Sequence, residues 1–214
     1  MTPEAYAHLA RNCEVMSRLI RTHGPCTIVP DAGRSPFHAL VSAVAHQQLN
    51  GTAAESILRR FRALFPGKRF PAPAQLVTVS DEDLRASGFS WAKIAAIRDI
   101  AAKTLDGTVP SSRAIAKMSD EEIIERLVQV RGVGRWTVEM LLIFKLGRLD
   151  VLPVDDFGVR NGFRLAFQLP EMPKPKELLA HGERWRPYGT TAAWYLWRAA
   201  DGARQQRPLK GVNA

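Results

Sequence analysis

The residues with the most chemical potential fall in one stretch, Leu127 to Phe157, LVQVRGVGRWTVEMLLIFKLGRLDVLPVDDF, which holds Gly132, Gly134, Trp136 and the adjacent pair Asp155 and Asp156. Gly132 and Gly134 lie between two apolar runs and read as a tight turn between helices, where positive φ and close backbone approach are available. With Gly134 opening the second helix, unpaired N–H groups and the positive end of the helix dipole face outward, and no Cβ blocks a phosphate. A DNA backbone can dock there without being read for sequence. Glycines so placed also mark ordinary αα turns, so the flanking residues must carry the argument. Asp155 and Asp156 precede another apolar run. Aspartate is a preferred helix N-cap there, and its carboxylate can equally face developing positive charge.

The elements that hold these residues are helical. Ser119 followed by Asp120, Glu121 and Glu122 has the form of a helix start, and Ile123, Ile124, Leu127, Val128 and Val130 supply an apolar stripe, so a helix is expected from there to about Val130. The run Val138 to Leu146 continues after the glycines, giving a helix-hairpin-helix. Other helices are expected near 36–48, 52–64, 80–86, 91–106, 135–146, 156–167, 175–181 and 189–201. The N-terminal segment carries one amphipathic pattern through Tyr6, Leu9, Ala10, Cys13, Met16, Leu19 and Ile20. Only Cys26 to Val29 and Val151 to Val154 read as extended. The pattern predicts an all-α fold.

The chain has 214 residues, 46% hydrophobic, enough to bury a core as one domain or two small ones. Its 30 Lys plus Arg against 21 Asp plus Glu leave a net charge of +9, which attracts phosphates in a salt-sensitive way. Arg59, Arg60, Arg62, Lys68 and Arg69 crowd one segment, and Arg198, Arg204, Arg207 and Lys210 another. These clusters also fit a solvated helix face or a tail. No apolar run is long enough to span a bilayer and the N-terminus does not read as a signal peptide, so a cytosolic location, including a bacterial nucleoid, or a nuclear one is expected, with no membrane partner. Cys13 and Cys26 read as reduced residues in or near the core. No set of His, Cys and carboxylates has catalytic metal spacing.

The continuation of the hairpin motif raises its specificity. FHALVSAVAHQQLNG from Phe37, LRASGFSWAKIAAIRDIA from Leu84, VRGVGRWTVEMLLIF from Val130, DVLPVDDFGVRNGF from Asp150 and ERWRPYGTTAAWYLWR from Glu183 together resemble the helix-hairpin-helix DNA glycosylase superfamily, and within it the 3-methyladenine DNA glycosylase II type. The resemblance spans most of the chain in the family's order. It implies two helical subdomains, a hairpin-bearing one from about 36–150 and another from 1–35 with 151–214, and an active site in the cleft between them. It implies double-stranded DNA containing damaged bases as partner, a monomer, and excision of alkylated purines of the 3-methyladenine and 7-methylguanine class. Relatives of the endonuclease III type carry a four-cysteine iron–sulfur cluster near the C-terminus, whereas this chain has no cysteine after Cys26, so no such cluster is expected. A monovalent cation on hairpin carbonyls near Val130 and Val133 is a further family expectation.

By the same resemblance, Asp156 is the carboxylate that faces the sugar of the extruded nucleotide, and Asp155 is expected to be the helix cap. Bifunctional members carry a Schiff-base lysine where this chain has Trp136, which implies a monofunctional enzyme that leaves an abasic site. Lys145 lies about two and a half turns further along and is expected to face solvent. Trp136, Met140 and Trp197 fall in segments resembling the base pocket, where an indole stacks on a cationic purine whose bond to sugar is already weak. Met140 stands where the closest bacterial pattern has a tyrosine. Trp91, Trp185 and Trp194 read as core residues. Gly132, Val133, Gly134, Arg135 and Thr137 are the hairpin's candidate DNA contacts. Gln47, Gln48 and Leu49, in HQQLN from His46 to Asn50, are the candidates for the wedge that fills the gap left by the flipped nucleotide. His46 reads as a polar surface or supporting residue rather than a catalytic base. Two other functions use the same parts: a non-catalytic hairpin module that binds DNA, and a glycosylase for deaminated or oxidised bases.

Overall fold

The computed structural model of the chain describes residues 2–31, 33–49, 51–67 and 70–205, the last three as backbone only. Asn50, Lys68, Arg69, Arg207 and Lys210, and the side chain of Arg204, lie outside the described residues. Serines start many of the helices. Ser35, Ser80, Ser90, Ser111 and Ser119 each accept the main-chain N–H three residues on, satisfying a donor that the first helical turn leaves unpaired. At Ser119 the arrangement is reciprocal, because Glu122 Oε2 accepts the Ser119 N–H at 2.6 Å.

The described residues of Met1–Pro30 with Gly147–Ala214 form one compact unit, and those of Asp31–Leu146 the other. In chain order the helices are α1 (Pro3–Asn12), α2 (Glu14–His23), α3 (Pro36–His46), α4 (Gly51–Ala63), α5 (Pro73–Thr78), α6 (Asp81–Ala86), α7 (Trp91–Leu105), α8 (Ser112–Ile115), α9 (Asp120–Leu127), α10 (Arg135–Phe144), α11 (Phe157–Ala166), α12 (Pro175–Gly182) and α13 (Gly189–Gln205), with a short 3-10 turn at Glu183–Trp185. Among the described residues there is no strand, so the fold is all-α as the sequence predicts.

The hairpin-bearing unit, α3 to α10, packs α7 against α3, α5 and α6, and α10 against α3 and α9. Its centre includes Leu40, Val44, Ile94, Ile97, Ile100, Leu127 and Leu142, with Phe61 meeting Phe65, Phe70 and Phe89 edge to face. The other unit packs α11 on α13 and α1 on α2 around Leu9, Met16, Phe163, Leu178, Trp185 and Tyr195. Tyr195 is fully buried with its hydroxyl donating to the Gly24 carbonyl at 2.8 Å, and burial raises its pKa.

Several expectations are corrected. The N-terminal pattern is two helices, broken at Cys13 (φ −158°, ψ 112°), because Asn12 folds back to donate to the His8 carbonyl and closes the first. The helix before the hairpin stops at Leu127 and not near Val130, and α5, α8 and the 3-10 turn add short elements that carry too few residues to show a periodicity. The extended pieces at Cys26 to Val29 and Val151 to Val154 pair with no strand. Trp185 and Trp194 are buried as core residues, but Trp91 is 58% exposed. Its position at the first turn of α7 carries it past the end of the stripe Ile94, Ile97 and Ile100, and the Arg85 guanidinium lies 5.9 Å from its ring centroid.

Candidate active site and nucleic-acid interface

Asp156 caps α11. Its backbone is extended (φ −67°, ψ 124°) and Oδ1 accepts the Val159 N–H at 2.7 Å. The same oxygen accepts the indole Nε1–H of Trp197 at 2.9 Å, so α11 and α13 each supply one donor to it. Gly158 makes room for this pair, since a Cβ there would fall 2.9 Å from Trp197 Cδ1 and 3.1 Å from Asp156 Oδ1. One turn further on, a Cβ at Gly162 would come within 1.8 Å of the Leu196 carbonyl oxygen, so the two helices cross only over glycine. The expectation that Asp155 is the cap is therefore wrong. Asp155 is exposed, and the capping geometry falls on the residue whose side chain can reach back to the N–H three positions later. Gly158 was not singled out in the sequence, and neither was Phe157, whose ring is 61% exposed beside Asp156.

The hairpin joins α9 to α10. Gly132 takes φ +76°, and a Cβ there would meet the Ala96 Cβ at 2.9 Å. Gly134 differs from expectation. It adopts φ −93°, open to any residue, and an added Cβ would meet nothing within 4 Å. The fold therefore does not require glycine at 134. Val133 and Thr137 are each 4% exposed, so their side chains offer no surface for DNA and only their main-chain groups are left for such a contact. Arg135 is half exposed, but its guanidinium is held by Glu121 at 3.1 Å and by the buried Glu139 at 3.2 Å, which raises its pKa, chiefly through the Glu121 hydrogen bond.

On α10, Trp136 is 43% exposed and Met140 half-buried, one turn apart on the same side of the helix. Lys145 is 8% exposed, which corrects its assignment to solvent. It lies about 180° around the helix from Trp136, and with Trp136 outside, that direction is the interior of its unit.

In the HQQLN segment, the Gln47 amide donates to the Gly132 carbonyl at 3.0 Å and so is committed to the hairpin. Gln48 is exposed with φ +58°, and Leu49 is 41% exposed. Lys93 of α7 donates to the carbonyls of Ala45 at 2.9 Å and Gln47 at 2.8 Å, and burial lowers its pKa. His46 sits at the surface, bonded through Nδ1 to Ser42 O at 2.8 Å and 3.5 Å from Glu55.

Of the basic clusters, Arg60 and Arg62 donate to nearby main-chain carbonyls, and Arg198 pairs with Asp201 at 2.8 Å. Among the described residues no helix is long and apolar enough to cross a membrane, and no group of three or more His, Cys, Asp or Glu could hold a metal ion.

Comparison with known proteins gives the family. Residues 41–187 match the family model of the HhH-GPD superfamily base excision DNA repair protein. The chain is 43% identical to DNA-3-methyladenine glycosylase 1 of Schizosaccharomyces pombe over 83% of its own length and 78% of that protein's. It is 37% identical to the alkylbase DNA glycosidase-like protein mag2 of the same organism, over 91% and 92% of the two lengths. The structure of the S. pombe 3-methyladenine DNA glycosylase in complex with abasic DNA superposes with a TM-score of 0.82 at 41% identity, covering 91% of this chain and 95% of that one. The DNA-3-methyladenine glycosidase of Bacillus halodurans gives 0.84 at 35% identity, covering 96% and 92%. A family model that spans most of the chain, together with relatives this similar over most of their length, leaves one assignment: the chain belongs to the HhH-GPD superfamily of base excision DNA repair proteins.

Proposed function

We propose that the protein is a monofunctional DNA glycosylase that binds duplex DNA, extrudes an alkylated purine nucleotide and hydrolyses its N-glycosidic bond. The observation that carries this reading is the pairing of Asp156 with Trp197 at 2.9 Å, in a chain 43% identical to a named 3-methyladenine glycosylase. Two donors on one oxygen fix the direction of the carboxylate before substrate arrives, which is the preorganisation that electrostatic catalysis requires. As the bond from C1′ to the purine nitrogen breaks, its electron pair leaves with the base. The sugar gains oxocarbenium character, and Asp156 stabilises that charge. Water adds at C1′ and gives up a proton, so the products are free base and an abasic site.

Trp197 is proposed to stack on the extruded base, its N–H edge serving Asp156 while its ring face serves stacking, and Trp136 and Met140, on α10 of the other unit, are proposed base-contacting residues in their own right. An electron-rich surface of this kind suits a cationic alkylpurine, which is already a good leaving group. The absence of an amine at 136 assigns hydrolysis and not Schiff-base chemistry.

DNA is proposed to dock on the exposed main chain at Gly132 and Gly134, with Gln48 and Leu49 as the wedge, since Gln47 is already engaged. A monovalent cation is proposed to sit on hairpin carbonyls near Val130 and Val133, neutral oxygens of the kind that hold an alkali ion weakly. It would supply positive charge for a phosphate. The protein is proposed to act as a monomer. The test is incubation with duplexes carrying single defined lesions, with released base as readout; excision of 3-methyladenine or 7-methylguanine supports the reading, and excision of none overturns it.

A further inference from the structure

One face of α7 serves both segments proposed to touch DNA. Lys93, Ala96, Asp99 and Lys103 recur at helical spacing, so they line one side of the helix. Lys93 holds the carbonyls of Ala45 and Gln47 at the end of α3, where the last turn leaves acceptors unpaired. Ala96 is the residue against which Gly132 closes. Asp99 Oδ2 accepts the Arg131 N–H at 2.7 Å, and Lys103 donates to the Gln129 carbonyl. The Gln47 amide then ties the first segment directly to the second at the Gly132 carbonyl. The wedge turn and the hairpin are thus registered against one rigid helix and against each other.

Two features show that this register has an energetic cost. Gln48 takes a positive φ, which a residue with a side chain adopts only where its surroundings over-determine it. Lys93 is partly withdrawn from water to bond two carbonyls, and that burial lowers its pKa. Both features converge on the residues just before Gln48 and Leu49.

We propose that Lys93 and Gln47 are positioning residues that make no contact with DNA and hold the Gln48–Leu49 wedge at a set distance from the hairpin, so that docking of the backbone drives extrusion of the nucleotide. The proposal rests on the glycosylase reading above and deepens it. A wedge helps only where a base must be forced out of a stacked, paired helix. Its loss should therefore be felt with a fully paired substrate and spared with one already open.

The experiment compares wild type, Lys93→Met and Lys93→Arg. Each is given 7-methylguanine in a fully paired duplex and in a short mismatched bubble, under single-turnover conditions with saturating enzyme. Lys93→Met is expected to lose about 10-fold or more in the paired duplex and to change little in the bubble, the scale expected when a group is displaced from its working position. Lys93→Arg, which can also donate to two carbonyls, is expected to restore most of the rate. Gln47→Leu should behave like Lys93→Met. The bubble is the control for folding, because a damaged fold would lose both substrates alike. Equal losses on both substrates, or no loss on either, would overturn the positioning role. Fluorescence of a 2-aminopurine at the extruded position reports flipping without any excision. A wild-type enhancement that Lys93→Met diminishes would support the positioning role even if no base were released, and only the glycosylase reading would then fail. An enhancement equal in both proteins would remove it whatever the excision result.

Discussion

Asp156 Oδ1 is the meeting point of two helices: it accepts the α11 main chain through Val159 at 2.7 Å and the α13 indole of Trp197 at 2.9 Å. A helix cap and a proposed catalytic group are therefore the same atom, and the capping bond that stabilises the fold also aims the carboxylate.

Replacing Asp156 with Asn keeps the shape and much of the capping ability, so folding and DNA affinity should survive while single-turnover base release falls by roughly 10²-fold or more. Asp155→Asn should be nearly silent in both rate and stability, because that side chain is exposed and is not the cap. Equal rates for wild type and Asp156→Asn would remove the catalytic assignment, and a larger loss in Asp155→Asn would move it to the neighbour.

Trp197→Phe removes the indole donor but keeps an aromatic face, and Gly158→Ala pushes a methyl into the Asp156–Trp197 contact. Each should lower the excision rate by about 10-fold, the worth of one charge-assisted hydrogen bond of about 1.5 kcal/mol. Because both act on the same bond, the double variant should lose less than the product of the two effects. Strict additivity of the two losses would mean that they act on different things.

The two hairpin glycines should separate on substitution. Gly132→Val has both an unfavourable φ and a clash with Ala96, so it should lower Tm as well as DNA affinity. Gly134→Val has neither and should leave Tm unchanged while weakening binding to damaged and undamaged duplexes alike, with affinity falling steeply with salt. Unchanged affinity for undamaged DNA in Gly134→Val would take the hairpin out of the interface.

Trp136 offers no amine, and Lys145 is buried on the far side of α10. Treatment with borohydride during turnover should trap no covalent complex, and strands should be cut only after hot alkali. A trapped adduct would show that another amine attacks the sugar.

His181 packs edge-on against Phe163, Phe167 and Trp185 at 4.9, 4.7 and 5.2 Å, and its pKa is lowered by burial first and by the Arg184 charge second. The unfolded chain, with an ordinary value near 6.5, takes up the proton before the folded one does. Stability is therefore lost as pH falls from about 6.5 toward the folded pKa and stays level below it. His181→Phe should resist this loss, so the Tm difference between variant and wild type should widen in favour of the variant from about pH 8 to about pH 5. Parallel Tm curves would show that His181 does not titrate in this way.

The sequence by itself determined much of this protein. Apolar periodicity, with a hydroxyl cap at Ser119, located most helices of α3 to α13, because those signals are local: a hydroxyl and a stripe act within one or two turns. Motif order along the chain also identified the family and the glycine hairpin, and singled out Asp156 and Trp136 as candidates. Tertiary structure alone decided which groups meet. Which of Asp155 and Asp156 caps α11 is settled by where the helix begins, since Asp156 is the extended residue whose Oδ1 reaches the Val159 N–H. That Trp197 donates to Asp156 depends on α13 crossing α11 over Gly158 and Gly162, in a part of the chain far away in sequence. That Arg135 is held by Glu121 and Glu139, that Lys145 lies inside, and that Gln47 is tied to Gly132 are likewise pairings between separated residues. Spacing along the chain specifies the face of a helix, but not what that face will meet, because the meeting is set by packing over the whole unit.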